Sequence, residues 1–228
     1  MHSEEKQLGK GSLFQTVQAA LGLDNCTIIT PENAVAREKS FLENQLVLID
    51  EILIDGDYKK KLSVLNTLKP LMSNELHDCR PLFKDWRRVH STCNFFLFTN
   101  HKNAIAIDTN EARYTCIDVA KTREEMGGDV WFRDVYWKAF KQGTLINVVK
   151  NFLLTRPISE TYDPSSVSLK TEFLKEMAKA GGHPMYPTCE ELFKARSKPF
   201  DQSLLGFGDA LTYLRKPMDR DWETILHK

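Results

Sequence analysis

The sequence lacks both a net charge and a long apolar run. Its 228 residues include 31 Lys and Arg and 31 Asp and Glu, which gives a formal net charge of +0. Without a global basic field, any contact with nucleic acid must come from a local patch of charge. The apolar runs, such as LVLI and FFLF, are far shorter than a membrane span. No charged-then-apolar segment typical of an export signal begins the chain, so we expect no membrane partner.

Cysteine is scarce, and its spacing is uninformative. The five cysteines are odd in number, widely scattered and without a CxxC pair. This pattern argues against a disulfide framework and a zinc site, and it indicates a reducing compartment. We therefore expect a soluble, cytoplasmic protein. With 42% hydrophobic and 27% charged residues, the chain has a globular composition and enough length for one core plus a smaller appendage.

Short apolar strands alternate with helical patterns over the first 120 residues. Strands are predicted at 26–30, 45–51, 93–101 and 112–119, and helices at 12–22, from 31 to about 40, and at 58–72. This alternation predicts an α/β fold with a mostly parallel sheet flanked by helices. The segment 74–92 is too polar for a core strand and contains a proline near its middle, so it predicts a β-hairpin or an irregular excursion.

Helical patterns without strands follow residue 120. They predict a helical extension at 121–163 and a helical C-terminal region at 164–228, for which a winged-helix-like DNA-binding unit is one expectation. Five aromatic residues recur at helical spacing in the extension: Trp131, Phe132, Tyr136, Trp137 and Phe140. Core packing is the leading interpretation of this cluster, and a stacking platform is the alternative.

The stretch GKGS at residues 9–12 has the composition of a phosphate-binding loop before a helix. Gly9 and Gly11 supply the turn, Lys10 supplies a cation, and Ser12 supplies a hydroxyl that can bind Mg²⁺. The stretch departs from GxxxxGK[ST], because Glu4 stands at the first glycine position and Gly11 at the usual Ser/Thr position. A solvated N-terminal turn is the alternative interpretation.

Polar residues end two of the predicted strands. Asp50 and Glu51 follow LVLI, where Asp50 could hold a metal and Glu51 could orient an attacking water. Asn100 ends FFLFTN, where an amide could position that water, although Asn is more often a turn former. Arg113 could be a surface residue or could stabilise charge on a transferring phosphoryl group.

The order GKGS, LVLIDEI, CNFFLFTNH and NEARYTCIDV resembles a superfamily 3 helicase domain. It is most similar to the primase-associated helicases of phages, viruses and mobile elements, over roughly residues 3–120 and weakly to about 180. The resemblance implies an AAA+-like P-loop ATPase at 1–120, a hexameric ring, ATP and Mg²⁺ as cofactors, and movement on single-stranded DNA during replication. It also implies a primase or initiator domain in the same or a partner chain.

The same resemblance assigns roles to individual residues. Lys10 and Ser12 correspond to Walker A, Asp50 and Glu51 to Walker B, Asn100 to the polar sensor of motif C, and Arg113 to the arginine finger. Lys69 stands where the family often has a basic residue that contacts nucleotide across the subunit interface. The segment before motif C would be a hairpin whose tip touches DNA through Lys84, supported by Trp86, Arg87 and Arg88. A solvated charged turn is the alternative.

Two departures from the family pattern leave other functions open. The strand expected before Gly9 is missing, as are the family's helical collar and any primase domain. We therefore expect the C-terminal part of a longer polypeptide or a truncated reading frame. One alternative function is a nucleotide kinase-like P-loop enzyme, because GKGS also resembles the loop of those kinases. Another is a non-catalytic remnant that binds DNA or a replication partner.

Overall fold

The computed structural model describes residues 1–36, 38–53, 58–80, 84–163, 169–182, 186–197 and 200–201, without the side chains of 186–188. The chain divides into two units, Met1–Gly182 and His183–Lys228. The strands are β1 Cys26–Ile29, β2 Leu46–Ile49, β3 Leu76–Cys79, β4 Arg87–His90 and β5 Asn94–Leu97. The helices are α1 Lys10–Leu21, α2 Pro31–Val35, α3 Tyr58–Ser73, α4 Gly128–Trp131, α5 Trp137–Lys141, α6 Thr144–Thr155, α7 Glu172–Gly181 and α8 Tyr186–Lys194.

A parallel sheet in the order β1-β2-β5 is the centre of the first unit. All four residues of β2 are buried, which explains why LVLI is apolar without alternation. Val47 and Ile49 belong to a core cluster with Leu65 and Leu68 of α3, whereas Leu46 and Leu48 pack with Phe14 of α1. Helices therefore cover both faces of the sheet, and the predicted α/β fold with a parallel sheet is confirmed.

Residues Met1–Ser3 extend this sheet beyond β5 as a short strand with a neighbour on each side. His2 forms parallel bridges with Thr99 on one side and Asp118 on the other. Its N–H donates to Ile117 O at 2.8 Å, and Val119 N–H donates to His2 O at 2.9 Å. The spatial order is therefore β1, β2, β5, residues 1–3 and residues 117–119. The expectation that no strand precedes Gly9 is corrected, because these three residues occupy that place.

The prediction of a regular strand at 112–119 is wrong. Only Asp118 forms a bridge there, because the neighbouring segment offers three residues for pairing. The helix predicted from Pro31 to about residue 40 ends at Val35, and Ala36 is extended. A 3₁₀ turn at Ser40–Glu43 follows and buries Phe41 and Leu42.

The segment 74–92 before β5 contains a β-hairpin, which is one of the two forms that the sequence predicted. Strands β3 and β4 pair antiparallel, with Leu76 opposite His90 and Cys79 opposite Arg87. The tip residues 81–83 lie outside the described residues.

Helices dominate the described residues after residue 127. Helices α4 and α5 flank a π-helical turn at Phe132–Tyr136, so that Gly128–Lys141 is one continuous helical run. Most of the predicted winged-helix-like region lies outside the described residues, which include α8 of the second unit. Within the described ranges, no helix has the length and apolar character needed to cross a membrane.

Candidate functional site

The loop before α1 has an unusual backbone conformation. Gln7 and Gly9 have positive φ angles of 61° and 85°. A Cβ atom at Gly9 would lie 3.0 Å from the Phe132 ring, so both the angle and the space require glycine at this position. The first intrahelical hydrogen bond runs from Leu13 N–H to Gly9 O at 2.8 Å. The three N–H groups before it have no acceptor within the helix, which makes this helix end suited to an anion.

The Lys10 side chain joins separate parts of the chain. Its ammonium donates to Ser3 Oγ at 2.5 Å and to Asn100 Oδ1. Burial lowers the pKa of Lys10, while the nearby charges of Asp50 and Glu51 act in the opposite direction. The charges of both acids therefore act on Lys10, although Lys10, the two acids and Asn100 belong to three segments that are far apart in the sequence.

The acids and the asparagine extend from neighbouring parallel strands. Asp50 and Glu51 follow β2 and are exposed, and Asn100 lies three residues after β5. Glu51 has a φ angle of 48°, which is uncommon for a residue with a side chain, and its N–H donates to Asp50 Oδ1 at 3.0 Å. The carboxyl ends of parallel strands meet at one sheet edge, which is where ligands bind in open α/β sheets.

These segments line a single cleft of about 550 Å³. The residues of the predicted motifs that line it are Gly9, Lys10, Gly11, Ser12, Asp50, Glu51 and Asn100. The cleft thus combines a helix N-terminus, a lysine, two carboxylates and an amide. Chemically, this arrangement can hold an anionic group beside a hard cation and an ordered water.

Arg123 also lines the cleft, although no sequence pattern indicated this position. Its guanidinium lies 4.5 Å from the centre of the Phe132 ring, forms an ion pair with Asp129 at 2.5 Å, and donates to Gln7 O. Its backbone N–H donates to the Glu5 carboxylate at 2.9 Å. Arg123 therefore connects the loop before α1 to the helical run that starts at Gly128. It belongs to no motif, and a single arginine in a charged segment carries no pattern.

Three more residues contribute to the site without a role predicted for them in the cleft: Phe132 and Trp137, which line it, and Ser3, which contacts Lys10 from below its surface. Ser3 is fully buried and holds Lys10, and its Oγ also donates to Glu5 O at 2.8 Å. Phe132 and Trp137 line the cleft from the helical run. The aromatic spacing of that run indicated a helix, but it could not indicate which side chains face the loop.

Arg113 lies outside this cleft within its own chain. Its guanidinium donates to Glu111 Oε1 at 2.8 Å and to Ser73 Oγ at 2.6 Å, and Lys69 contacts the other Glu111 oxygen at 3.0 Å. The Glu111 side chain is only 4% exposed. Burial alone would raise the pKa of Glu111, but the hydrogen bonds from Lys69 and Arg113 outweigh it and hold the pKa below its ordinary value. The sequence did not indicate this carboxylate.

The hairpin carries exposed basic and aromatic side chains. Lys84 is exposed beside the tip, and Trp86 is 57% exposed. The guanidinium of Arg80 lies 5.9 Å from the centre of the Trp86 ring, across the hairpin. Trp86 is therefore not folded into the core, and one of its faces is engaged by a cation.

The two arginines of β4 already have acidic partners. Arg87 forms an ion pair with Glu43 at 2.6 Å, and Arg88 forms one with Asp78 at 3.3 Å. All four side chains are substantially exposed, so these pairs are weak and open to exchange with phosphate groups. Lys84 is nearer to the tip than either arginine.

Together, the parallel sheet and the cleft at its edge define an α/β protein with a candidate anion-binding site. A family model described as "Family of unknown function (DUF5906)" matches residues 1–113. No curated protein matches the chain.

Among solved structures, the chain is similar to "The apo structure of NrS-1 C terminal region (305-718)", at 18% identity and a TM-score of 0.66, covering 98% of this chain and 51% of that one. It is also similar to "The A form apo structure of NrS-1 C terminal region-CTR(305-718)", at 15% identity and a TM-score of 0.61, covering 98% and 50%. The chain thus shares a fold with these regions and spans about half their length.

Proposed function

We propose that the first unit is a P-loop ATPase domain of a DNA helicase from a phage, viral or mobile-element replication protein. The observation that carries this proposal is the meeting of Lys10, Asp50, Glu51 and Asn100 in one cleft at a helix N-terminus. They come from three distant segments of the chain. Their residue types are those that phosphate binding, metal binding and water activation need.

The loop and α1 would bind the phosphates of ATP. Phosphate oxygens carry full charge, so they are stronger acceptors for the Lys10 ammonium than the Ser3 hydroxyl or the Asn100 amide. Binding would therefore exchange these two contacts for a contact with phosphate. The N–H groups at the start of α1 and the helix dipole add further stabilisation of the anion.

The residues present fit a magnesium ion. Mg²⁺ prefers one or two carboxylates together with waters and substrate phosphates, and Asp50 and the Ser12 hydroxyl both line the cleft. The described residues contain no group of three His, Cys, Asp or Glu side chains that would form a complete protein cage. When bound, Mg²⁺ would neutralise charge on the phosphates.

Glu51 and Asn100 would handle the attacking water. The Glu51 carboxylate is exposed in the cleft, where it can accept a proton from that water. The Asn100 amide, once released by Lys10, can hold the same water in line. Hydrolysis is favoured over phosphoryl transfer to a second nucleotide because a carboxylate and an amide in the same cleft can together bind and activate a water.

The wider assembly is part of the same proposal. Arg113 lies away from the cleft of its own chain, which supports a role as a finger on ATP held by a neighbouring subunit in a hexamer. The exposed Lys84 and Trp86 support contact between the hairpin and single-stranded DNA. A primase or initiator domain would act with this unit, in the same or a partner chain.

The test is ATP binding and hydrolysis with and without single-stranded DNA. We expect DNA-stimulated phosphate release, and we expect Lys10→Ala to abolish ATP binding or hydrolysis. Lys175→Ala is the matched control, because Lys175 is an exposed lysine that pairs with Glu172 one helical turn earlier and lies outside the cleft. Equal activity of the Lys10→Ala and Lys175→Ala proteins would overturn the assignment.

The same assay separates the two alternatives. A kinase-like enzyme would transfer phosphate to a nucleoside monophosphate and would not respond to DNA. A non-catalytic remnant would bind DNA or a partner protein without binding ATP.

A further inference from the structure

The helical run Gly128–Lys141 contains a π-helical turn at a position that faces the cleft. The N–H of Trp137 donates to Phe132 O, five residues earlier, and this bond closes the wider turn. In a regular α-helix, residues five apart would point about 140° away from each other. The π turn instead brings Trp137 towards the face of Phe132, and both side chains line the cleft. Such π turns are frequent at functional sites.

Two contacts fix this run against the loop and α1. The Phe132 ring lies against Gly9, as the 3.0 Å approach to a Cβ at that glycine shows. The Tyr136 hydroxyl donates to Ser12 O at 2.5 Å and lies 2.5 Å from Thr16 Oγ1. Trp137 is the next residue, so the contacts of Phe132 and Tyr136 hold its backbone beside the loop and α1.

Trp137 itself is only partly buried. It packs edge-on with Tyr136 at 5.1 Å and with Phe140 at 5.4 Å between ring centres. It lines the cleft that contains Lys10 and also the shallow depression that continues beside Lys138 and Lys141. An aromatic ring that stays partly open beside a phosphate-binding loop has the chemistry to stack on a nucleobase.

We propose that Trp137 stacks on the base of the nucleotide whose phosphates lie at Lys10. This inference rests on the proposed function and adds the base-binding part of the same site. Because every base has a π-face, such stacking accepts purine and pyrimidine nucleoside triphosphates alike. The base of a bound nucleotide is favoured over a DNA base because Trp137 shares its cleft with Lys10, whereas the exposed tryptophan of the hairpin, Trp86, does not.

The experiment compares ATP with inorganic tripolyphosphate, which has the phosphates but no base. Calorimetry on the full chain would give both affinities for the wild type, Trp137→Leu, Trp137→Phe and the control Trp131→Leu. Trp131 lies in the same helical run and contacts Phe132 at 5.1 Å between ring centres, but it does not line the cleft. Thermal melts establish that each variant is folded.

We expect Trp137→Leu to weaken ATP binding by about tenfold or more, which is the size of one base-stacking contact. Its affinity for tripolyphosphate should equal that of the wild type. Trp137→Phe should retain most of the ATP affinity because it keeps an aromatic face, and Trp131→Leu should bind both ligands normally.

Tryptophan fluorescence provides a measurement that does not need the leucine variant to fold. ATP should quench the wild type and Trp131→Phe, tripolyphosphate should quench neither, and Trp137→Phe should lose the ATP-dependent quenching. Quenching that persists in Trp137→Phe would overturn the inference. So would equal loss of both ligands in a folded Trp137→Leu protein, unchanged ATP affinity, or a loss confined to single-stranded DNA. A wild type that binds neither ligand would overturn the proposed function, and this inference with it.

Discussion

At the scale of single residues, Lys10 connects the sheet to the loop before α1. Its ammonium contacts Ser3 in the short strand beside β5 and Asn100 after β5, and it lies near the acids that follow β2. A change at any of these positions will alter the position of the lysine as well as its own chemistry. For this reason, substitutions that preserve shape are the most informative ones at this site.

Substitutions of the two acids after β2 should impair different steps. Glu51→Gln keeps the side-chain shape but removes the base, so ATP should still bind while hydrolysis falls by about 100-fold or more. Asp50→Asn should instead weaken Mg²⁺-dependent ATP binding. Binding titrations at several Mg²⁺ concentrations and single-turnover hydrolysis measure the two effects. Normal turnover in both variants would mean that these acids only end a strand.

Glu111 should contribute to stability in a manner that depends on pH. Its pKa is held below the ordinary value of 4.5 by hydrogen bonds from Lys69 and Arg113. As the pH falls, the Glu111 carboxylate therefore becomes protonated at a higher pH in the unfolded chain than in the folded one. The contribution is complete above pH 4.5 and is lost as the pH falls through the lowered pKa of the folded state.

Glu111→Gln tests this stabilisation. We expect the free energy of unfolding at pH 7 to fall by about 1–3 kcal/mol, because two cations lose a charged, buried partner. The difference from the wild type should shrink on acidification. Glu75→Gln is the control, since the Glu75 side chain is 84% exposed. Urea melts between pH 3 and pH 7 would give both curves, and a gap that is constant over this range would contradict the expectation.

At the scale of elements, the hairpin β3–β4 is distinct from the parallel sheet. Its described residues present Lys84 and Trp86 to solvent, and its arginines have exposed acidic partners. It pairs with no strand of the sheet among the described residues. A hairpin that is separate from the sheet can contact single-stranded DNA without changing the geometry of the cleft.

Lys84→Ala should weaken single-stranded DNA binding with little dependence on sequence. The slope of log affinity against log salt should become shallower by about 0.7 for each phosphate that the lysine neutralises in the wild type. ATPase activity without DNA should be unchanged, because Lys84 lies outside the cleft. Fluorescence anisotropy at several salt concentrations measures the slope. Loss of the DNA-independent activity would instead indicate a role in folding or at the nucleotide.

The sequence was sufficient for the elements with a strong pattern. LVLI and FFLF predicted two strands of the sheet, and the polar segment 74–92 predicted a β-hairpin or an irregular excursion, of which the structure has the hairpin. The short strand beside β5 could not be predicted, because Met1–Ser3 is too short for a periodicity and is defined only by its neighbours on both sides. The strand at 112–119 was predicted from an alternating pattern, but the neighbouring segment at residues 1–3 is too short to form a regular ladder with it.

The sequence predicted the part of the cleft that is formed by recognisable motifs. The residues of GKGS, DE and TN lie together because they end adjacent strands or begin a helix. Arg123 and Trp137 could not be assigned, since their place depends on the packing of a distant helical run. For Trp137, it depends on a π turn that the spacing of aromatic residues does not indicate.

At the scale of the whole molecule, Arg113 offers a test of the ring. Arg113→Lys keeps a charge for Glu111 but loses the planar fork, so ATP binding should persist while turnover falls by about 10³-fold or more. Mixing Arg113→Lys with Lys10→Ala protein should restore some activity at interfaces that pair an intact Lys10 with an intact Arg113. The measurement is the ATPase rate of mixtures in which mixed rings are detected. No recovery in such mixtures would count against a finger acting between subunits.

The position of His2 between β5 and residues 117–119 also constrains the order in which the chain can fold. Its neighbour Asp118 follows 116 positions later, so a ribosome releases one side of this pairing long before the other. The bridge to Asp118 requires a loop of that length to close, which is the behaviour of slow-folding, nonlocal topologies, whereas pairing with Thr99 can form earlier. Lys10 has no Asn100 to contact until β5 has been made, and Phe14 lacks its full cluster with Leu48 and Phe98 until the same point. The cleft should therefore form late in translation, because its lining also includes Arg123, Phe132 and Trp137.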